Sequence, residues 1–160
     1  MTIRPVPLFL AADHGGFRLK ALFLAWLSEK GGDVRDLGTF SDERCDSLDY
    51  AIKMAEAIAA NPSALGVVIC KSGNGITMAA NRYQAVRAAL CLNSTMARMA
   101  RAHNDANVLG LGAEMTGELV ALDCLEAFLT TPFLEGRYAE RRDRLTALGG
   151  LKPPPSSPLD

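Results

Sequence analysis

Leu65–Asn81, LGVVICKSGNGITMAAN, is the stretch on which the fold turns. Leu65 to Cys70 is a short apolar run rich in β-branched residues, and it predicts a buried strand. The run breaks at Lys71-Ser72-Gly73-Asn74-Gly75, and helical composition resumes at Ile76-Thr77-Met78-Ala79-Ala80. Strand, glycine loop and helix, in that order, present backbone N–H groups and a helix N-terminus to an anion. Cys70 at the last strand position and Ser72 two residues on put a thiol and a hydroxyl at the mouth of that cradle. Open α/β sheets bind ligands in the crevice beyond the carboxyl ends of their strands, so the chemistry is expected here.

Three better-known loops do not fit. In a Walker A loop counted from Gly66, Lys71 stands where the second glycine belongs. A dinucleotide fingerprint starting at Gly73 and Gly75 requires a small residue where Met78 stands. A Cys-x5-Arg phosphatase loop has Ile76 in place of the arginine. What remains is a glycine loop suited to a single phosphate or an enediolate, with a cysteine beside it.

The rest of the chain narrows the class. Its 160 residues suit one domain, read here as 1–150, large enough to bury a core. A hydrophobic content of 49% and a formal charge of −1 describe an ordinary soluble globule, with no basic excess for nucleic acid. Charges interrupt every apolar stretch well short of the ~18 residues a membrane span needs. Arg4 and two prolines near the start argue against a signal peptide. Cys45, Cys70, Cys91 and Cys124 show no CxxC spacing, which predicts free thiols in a reducing cytoplasm and no structural zinc.

Outward from the central strand, the elements alternate. Pro7 to Ala12 predicts a first strand, ending in Asp13-His14-Gly15-Gly16, and Phe17 to Lys30 a helix stopped by Gly31-Gly32. Val34 to Leu37 follows as a strand, Thr39 to Leu48 as a polar loop, and Asp49 to Ala60 as a helix. Beyond the central unit come a strand at Val86–Leu92 and a helix capped by Asn93 or Ser94, running to His103. Asn107–Leu111 is read as the fifth strand, with helices at Thr116–Leu129 and Glu135–Leu148. Such alternation implies βαβ units and a five-stranded parallel sheet covered on both faces. The tail Leu151–Asp160, LKPPPSSPLD, is too rich in proline to pack and is read as extended or disordered.

His14 and His103 are the two histidines, and both are expected on the same rim of the sheet. A lone histidine is more often structural than catalytic. Asp13 beside His14, and Asn104-Asp105 after His103, shift the balance, because polar residues at the ends of buried elements need a partner. Arg137 and Arg141 stand one helical turn apart, and they read equally well as a solvated basic face or a phosphate grip. Cys70 can be an inert buried thiol, but the amide dipoles of the loop favour a thiolate. Cys91 and Cys124 are assigned to packing, and Cys45, expected in an exposed loop, receives no role.

With these residues placed, the chain resembles the type B ribose-5-phosphate isomerases and their galactose-6-phosphate isomerase relatives. The matching segments are Ala12-Asp13-His14-Gly15-Gly16-Phe17 with Leu19-Lys20, Gly38-Thr39, and Cys70 with Ser72-Gly73-Asn74-Gly75. Ala79-Ala80-Asn81, Arg87-Ala88, His103-Asn104-Asp105-Ala106-Asn107-Val108 and Gly136-Arg137 with Arg141 follow in the family's order. Together they run from about Leu8 to Leu148. The resemblance implies aldose–ketose isomerisation of a sugar phosphate without metal or other cofactor. It also implies a Rossmann-like three-layer α/β/α sandwich, acting as a homodimer or dimer of dimers with shared active sites. By the same resemblance, Cys70 is the base between C1 and C2, Ser72 assists the hydroxyl proton, and Asp13 and His103 open the sugar ring. Gly73, Asn74 and Gly75 would hold the enediolate oxygens, while His14, Arg137 and Arg141 would hold the phosphate. Lys71 and Asn104 are added to the substrate-binding set.

The chain departs from the family pattern at three places. Lys71 replaces a glycine, Asp46-Ser47-Leu48 replaces Asp-Tyr-Pro, and Glu114 replaces a phosphate-binding arginine. Ribose 5-phosphate is the default substrate. Another aldose phosphate, tetrose or six-carbon, and a sugar-phosphate-binding relative without turnover are the alternatives.

Overall fold

The computed structural model describes residues 6–148. In chain order the elements are β1 (Leu8–Ala12), α1 (Phe17–Glu29), β2 (Val34–Asp36), α2 (Ser47–Ala60), β3 (Leu65–Cys70) and α3 (Asn74–Ala80). They continue with β4 (Ala88–Leu90), α4 (Ser94–Asn104), β5 (Val108–Gly112), α5 (Glu118–Thr130) and α6 (Arg137–Leu148). The five strands form one parallel sheet in the order β2-β1-β3-β5-β4. All six residues of β3 are buried, as its unbroken apolar sequence requires of a strand covered on both sides.

Alternation along the strands divides the core in two. Leu8, Leu10, Val67, Ile69, Leu109 and Leu111 pack against α1, α4 and α5. Phe9, Ala11, Val68, Cys70 and Val108 pack against α2 and α3. The result is the expected Rossmann-like three-layer sandwich. α6 stands apart from it and buries no residue. It leans on α4 through Tyr138, whose ring stacks on His103 with centroids 4.4 Å apart.

After β1 the chain moves outward to β2, and after α2 it returns to the other side of β1 as β3. The sheet's topological switch point therefore lies between the carboxyl ends of β1 and β3, where a crevice opens. Asp13 and Cys70 sit at those two ends.

Several boundaries differ from the sequence reading, each for a local reason. α2 begins at Ser47 rather than Asp49, because the Asp46 carboxylate accepts the Leu48 amide at 2.9 Å and caps it. α3 begins at Asn74, so Asn74 and Gly75 are its first turn and only Lys71–Gly73 is loop. β4 shrinks from Val86–Leu92 to Ala88–Leu90, because the Asn107 side chain captures the Arg87 amide at 2.7 Å and the strand has a single neighbour. α5 starts at Glu118 rather than Thr116, whose hydroxyl turns back to the Gly112 carbonyl at 2.8 Å. α6 starts at Arg137, since Glu135 and Gly136 both have positive φ. The proline-rich tail, residues 151–160, lies outside the described residues. No helix among those described is long and apolar enough to cross a membrane.

Candidate active site

The crevice is built from two loops. At the end of β1, Asp13 is 7% exposed, and its Oδ1 accepts the Gly15 and Gly16 amides at 2.9 and 3.1 Å. The Asp13 amide donates to the Ile69 carbonyl at 3.1 Å, which ties this loop to β3. At the end of β3, the Gly73 amide donates to Cys70 Sγ at 3.1 Å. That bond fixes the position of the sulfur above the loop.

That bond depends on glycine. Gly73 has φ +77°, and a Cβ there would lie 2.7 Å from the Leu111 carbonyl carbon and 2.5 Å from Leu90 Cδ1. Behind it, Gly110 of β5 leaves the space that the Thr77 side chain fills, and Thr77 Oγ1 donates to the Gly73 carbonyl at 2.6 Å. The loop is clamped from both sides. Ser72 Oγ accepts the Asn74 amide at 3.3 Å. Because the first amides of a helix lack an earlier carbonyl, those of Gly75 and Ile76 remain as donors at the start of α3.

His14 lies on the opposite wall. Its Nδ1 is 3.1 Å from the Cys45 carbonyl, 3.3 Å from the Cys45 amide and 4.0 Å from Cys45 Sγ. The Cys45 amide donates to Nδ1, so Nε2 is the ring nitrogen left for a ligand. Asp13, His14, Arg44, Cys45, Asp46 and Ser47 line a cavity of about 460 Å³. Ser47 Oγ is the atom nearest a Cβ placed on Gly75, at 3.9 Å, so this wall faces the glycine loop. Cys45 is thus half-buried beside a candidate site residue, not the exposed bystander expected. Arg44 was missed altogether. Neither was legible, since the contact joins residues 31 apart through an irregular loop.

The other four candidates lie elsewhere. His103 and Asn104 end α4, which runs back from the carboxyl ends of the strands to the start of β5. His103 is therefore at the opposite rim from Cys70, contrary to the sequence reading. A residue at the end of a helix, before the next strand, marks the amino rim of a parallel sheet, and that signal was present. Arg137 and Arg141 share one shallow groove on α6, and the Tyr138 ring lies 5.0 and 5.9 Å from their guanidinium carbons. The Tyr138 hydroxyl accepts from Arg137 at 3.0 Å, which raises the pKa of that guanidinium. Among the described residues, no side-chain hydrogen bond or ion pair joins these four to the Cys70 loop.

Charge at the amino rim is organised around Asp105. It accepts from Arg87 and Arg101 at 3.0 Å each, and Arg142 of α6 stands 3.7 Å away. Burial pushes the Arg87 guanidinium below its usual value, and Asp105 opposes the shift. Asn81 and Asn107, both in segments quoted for the resemblance, bracket β4. Asn81 exchanges two hydrogen bonds with Ala88, and Asn107 reaches Arg87 and Ala85. A larger cavity, about 520 Å³, lies between this edge and α6.

The remaining cysteines behave as packing residues. Burial pushes the Cys91 thiol up to about 12 and the Cys124 thiol up to about 11, so both are protonated at neutral pH. All four cysteines are free.

Comparison with known proteins agrees with this architecture. A family model described as Ribose/Galactose Isomerase matches residues 8–145. Ribose-5-phosphate isomerase B of Escherichia coli K12 is 39% identical over 136 residues, covering 85% of this chain and 91% of that protein. The solved structure of ribose-5-phosphate isomerase B from Clostridium thermocellum superposes with a TM-score of 0.87 at 40% identity, covering 89% of this chain and 97% of that one. The Mycoplasma genitalium enzyme, solved with bound ribulose-5-phosphate, gives a TM-score of 0.86 at 34% identity, covering 89% and 95%. With a sheet, a switch-point crevice and a near full-length match in common, the chain belongs to the ribose/galactose isomerase family.

Proposed function

We propose that the protein is an aldose–ketose isomerase of a sugar phosphate, with ribose 5-phosphate converted to ribulose 5-phosphate as the default reaction. The observation that carries this reading is Cys70 Sγ at the switch point, held by the Gly73 amide with Asp13 across the crevice. Moving a proton between C2 and C1 builds an enediolate, so the site needs a base and donors aimed at the developing charge. In this reading the Cys70 thiolate takes the C2 proton and returns it to C1. Ser72 passes the hydroxyl proton between the two oxygens, and the Gly75 and Ile76 amides face the negative charge. The Gly73 amide already serves the sulfur, which revises its expected role toward the base.

Asp13 and His103 open the ring, and His14 with Arg137 and Arg141 grips the phosphate. One chain does not assemble this set. The eleven residues of α4 span roughly 16 Å at 1.5 Å per residue, and they separate His103 from the Cys70 rim. A two-fold related copy would supply His103, Asn104, Arg137 and Arg141 to the crevice, so the working unit is a homodimer or dimer of dimers. Exposed methionines, Met78 on α3 and Met96 and Met99 on α4, support a covered surface. Free thiols suit a reducing cytoplasm. Residues 1–150 would act as a single domain. The small Ser47 side chain opposite Gly75 favours a second reading, isomerisation of a six-carbon aldose phosphate.

Solvent deuterium incorporation into a panel of aldose phosphates, followed by NMR, tests the proposal. Label at C1 or C2 of one sugar, accompanied by turnover, is the expected result. Binding without any exchange would leave a sugar-phosphate-binding protein and sink the isomerase reading.

A further inference from the structure

Cys70 Sγ points toward α2 and α3, so the α1 side of the same rim is left to the next residue. Lys71 lies there. A Cβ on Gly15 would come within 2.4 Å of Lys71 Cγ, so the lysine stem lies flat across the start of α1. Its ammonium then reaches Glu114, just beyond β5, at 3.6 Å. The backbones are joined as well: the Glu114 amide donates to the Lys71 carbonyl at 3.0 Å, and the Ala113 amide to the Cys70 carbonyl at 2.9 Å. One side chain therefore bridges the exits of β1, β3 and β5, directly beside the proposed base.

We propose that the Lys71–Glu114 pair is a specificity-determining strap, which holds this side of the rim at zero net charge and so sends the ligand's phosphate to the His14 side. The inference rests on the isomerase reading for its substrate, but the strap itself is a matter of charge and position. Both side chains are about 60% exposed, so the pair adds little to stability and its effect must lie in the field it sets. Lys71 alone would be an anion site adjoining Cys70. A sugar phosphate gripped there would place its phosphate end, not C1 and C2, against the sulfur. Glu114 cancels that attraction.

The test is a set of four proteins: wild type, Glu114→Gln, Lys71→Gln and the double variant. Inorganic phosphate is titrated calorimetrically, and kcat and KM are measured with ribose 5-phosphate. A dianion some 8 Å from one unit charge in near-aqueous surroundings changes its affinity by about fivefold. Glu114→Gln should therefore tighten phosphate binding about fivefold, and Lys71→Gln should weaken it by a similar factor. The double variant should return to within about twofold of wild type, and the differences should collapse in ~1 M salt. Wrong-end binding in Glu114→Gln should lower kcat and KM together, leaving kcat/KM unchanged. Phosphate binding unaffected by Glu114→Gln, or a double variant that follows Lys71→Gln, overturns the strap. A wild type that turns over no aldose phosphate overturns the isomerase reading instead, and the phosphate titration still decides the strap.

Discussion

The two rims of the sheet hold their polar residues differently. At the carboxyl rim the crevice groups are held by backbone amides, two on Asp13, one on Cys70 and one on Ser72, with the ion pairs Lys71–Glu114 and Lys20–Asp36 to either side. At the amino rim the partners are side-chain ions, with three guanidinium groups around Asp105. An amide carries no net charge, so it fixes a group in place without pairing it with a counter-ion. A ring of counter-ions cancels the group's charge. The difference separates groups held one by one in the crevice from groups that fasten helices to the sheet.

The largest effect expected is at Cys70. Cys70→Ala should cut kcat by about 10²–10⁴ with an unchanged melting temperature, since a positioned base contributes on that scale. More than a tenth of wild-type kcat would identify another base. If the two rims meet across copies, mixing Cys70→Ala with His103→Asn should restore roughly a quarter of the activity, from the one intact site in each mixed dimer. Continued inactivity after subunit exchange would place both residues in one chain's site.

Next in size is the structural rim. Asp105→Asn preserves shape and the positive φ but removes the carboxylate shared by Arg87, Arg101 and Arg142. It should lower stability in urea unfolding by about 3 kcal/mol, the scale for breaking a buried ion pair. A loss below about 1 kcal/mol would mean that the cluster is too solvated to act as a fastening. The smallest effect concerns α6. Arg137→Ala or Arg141→Ala should raise KM by about tenfold and change kcat less, because a phosphate contact exists in ground and transition states alike. Equal KM values in variants and wild type would return both arginines to a solvated face.

Most of this fold could be read from local signals. β3 and its loop were legible because an unbroken apolar run next to two glycines has few alternatives. β4 was overextended, because apolar composition shows burial but not where an asparagine elsewhere captures an amide. The rim of His103 follows from chain direction alone, because a helix end that precedes the next strand lies at the amino rim of a parallel sheet. Asn81 and Asn107 close the ends of an edge strand, a use that needs the tertiary register. His14 beside Cys45, and Lys71 beside Glu114, are meetings of distant loops, and no periodicity reports them.

α6 has a consequence of its own. A twelve-residue helix with no buried side chain does not hold its shape by local preference alone. One stacked ring, one arginine and one glutamine contact tie it to its own chain. If a second copy completes its packing, the order of the helix and the association of chains become a single equilibrium. Dilution would then strip the proposed phosphate grip from the site while the sheet and its thiol stayed intact, making protein concentration itself a control on substrate affinity.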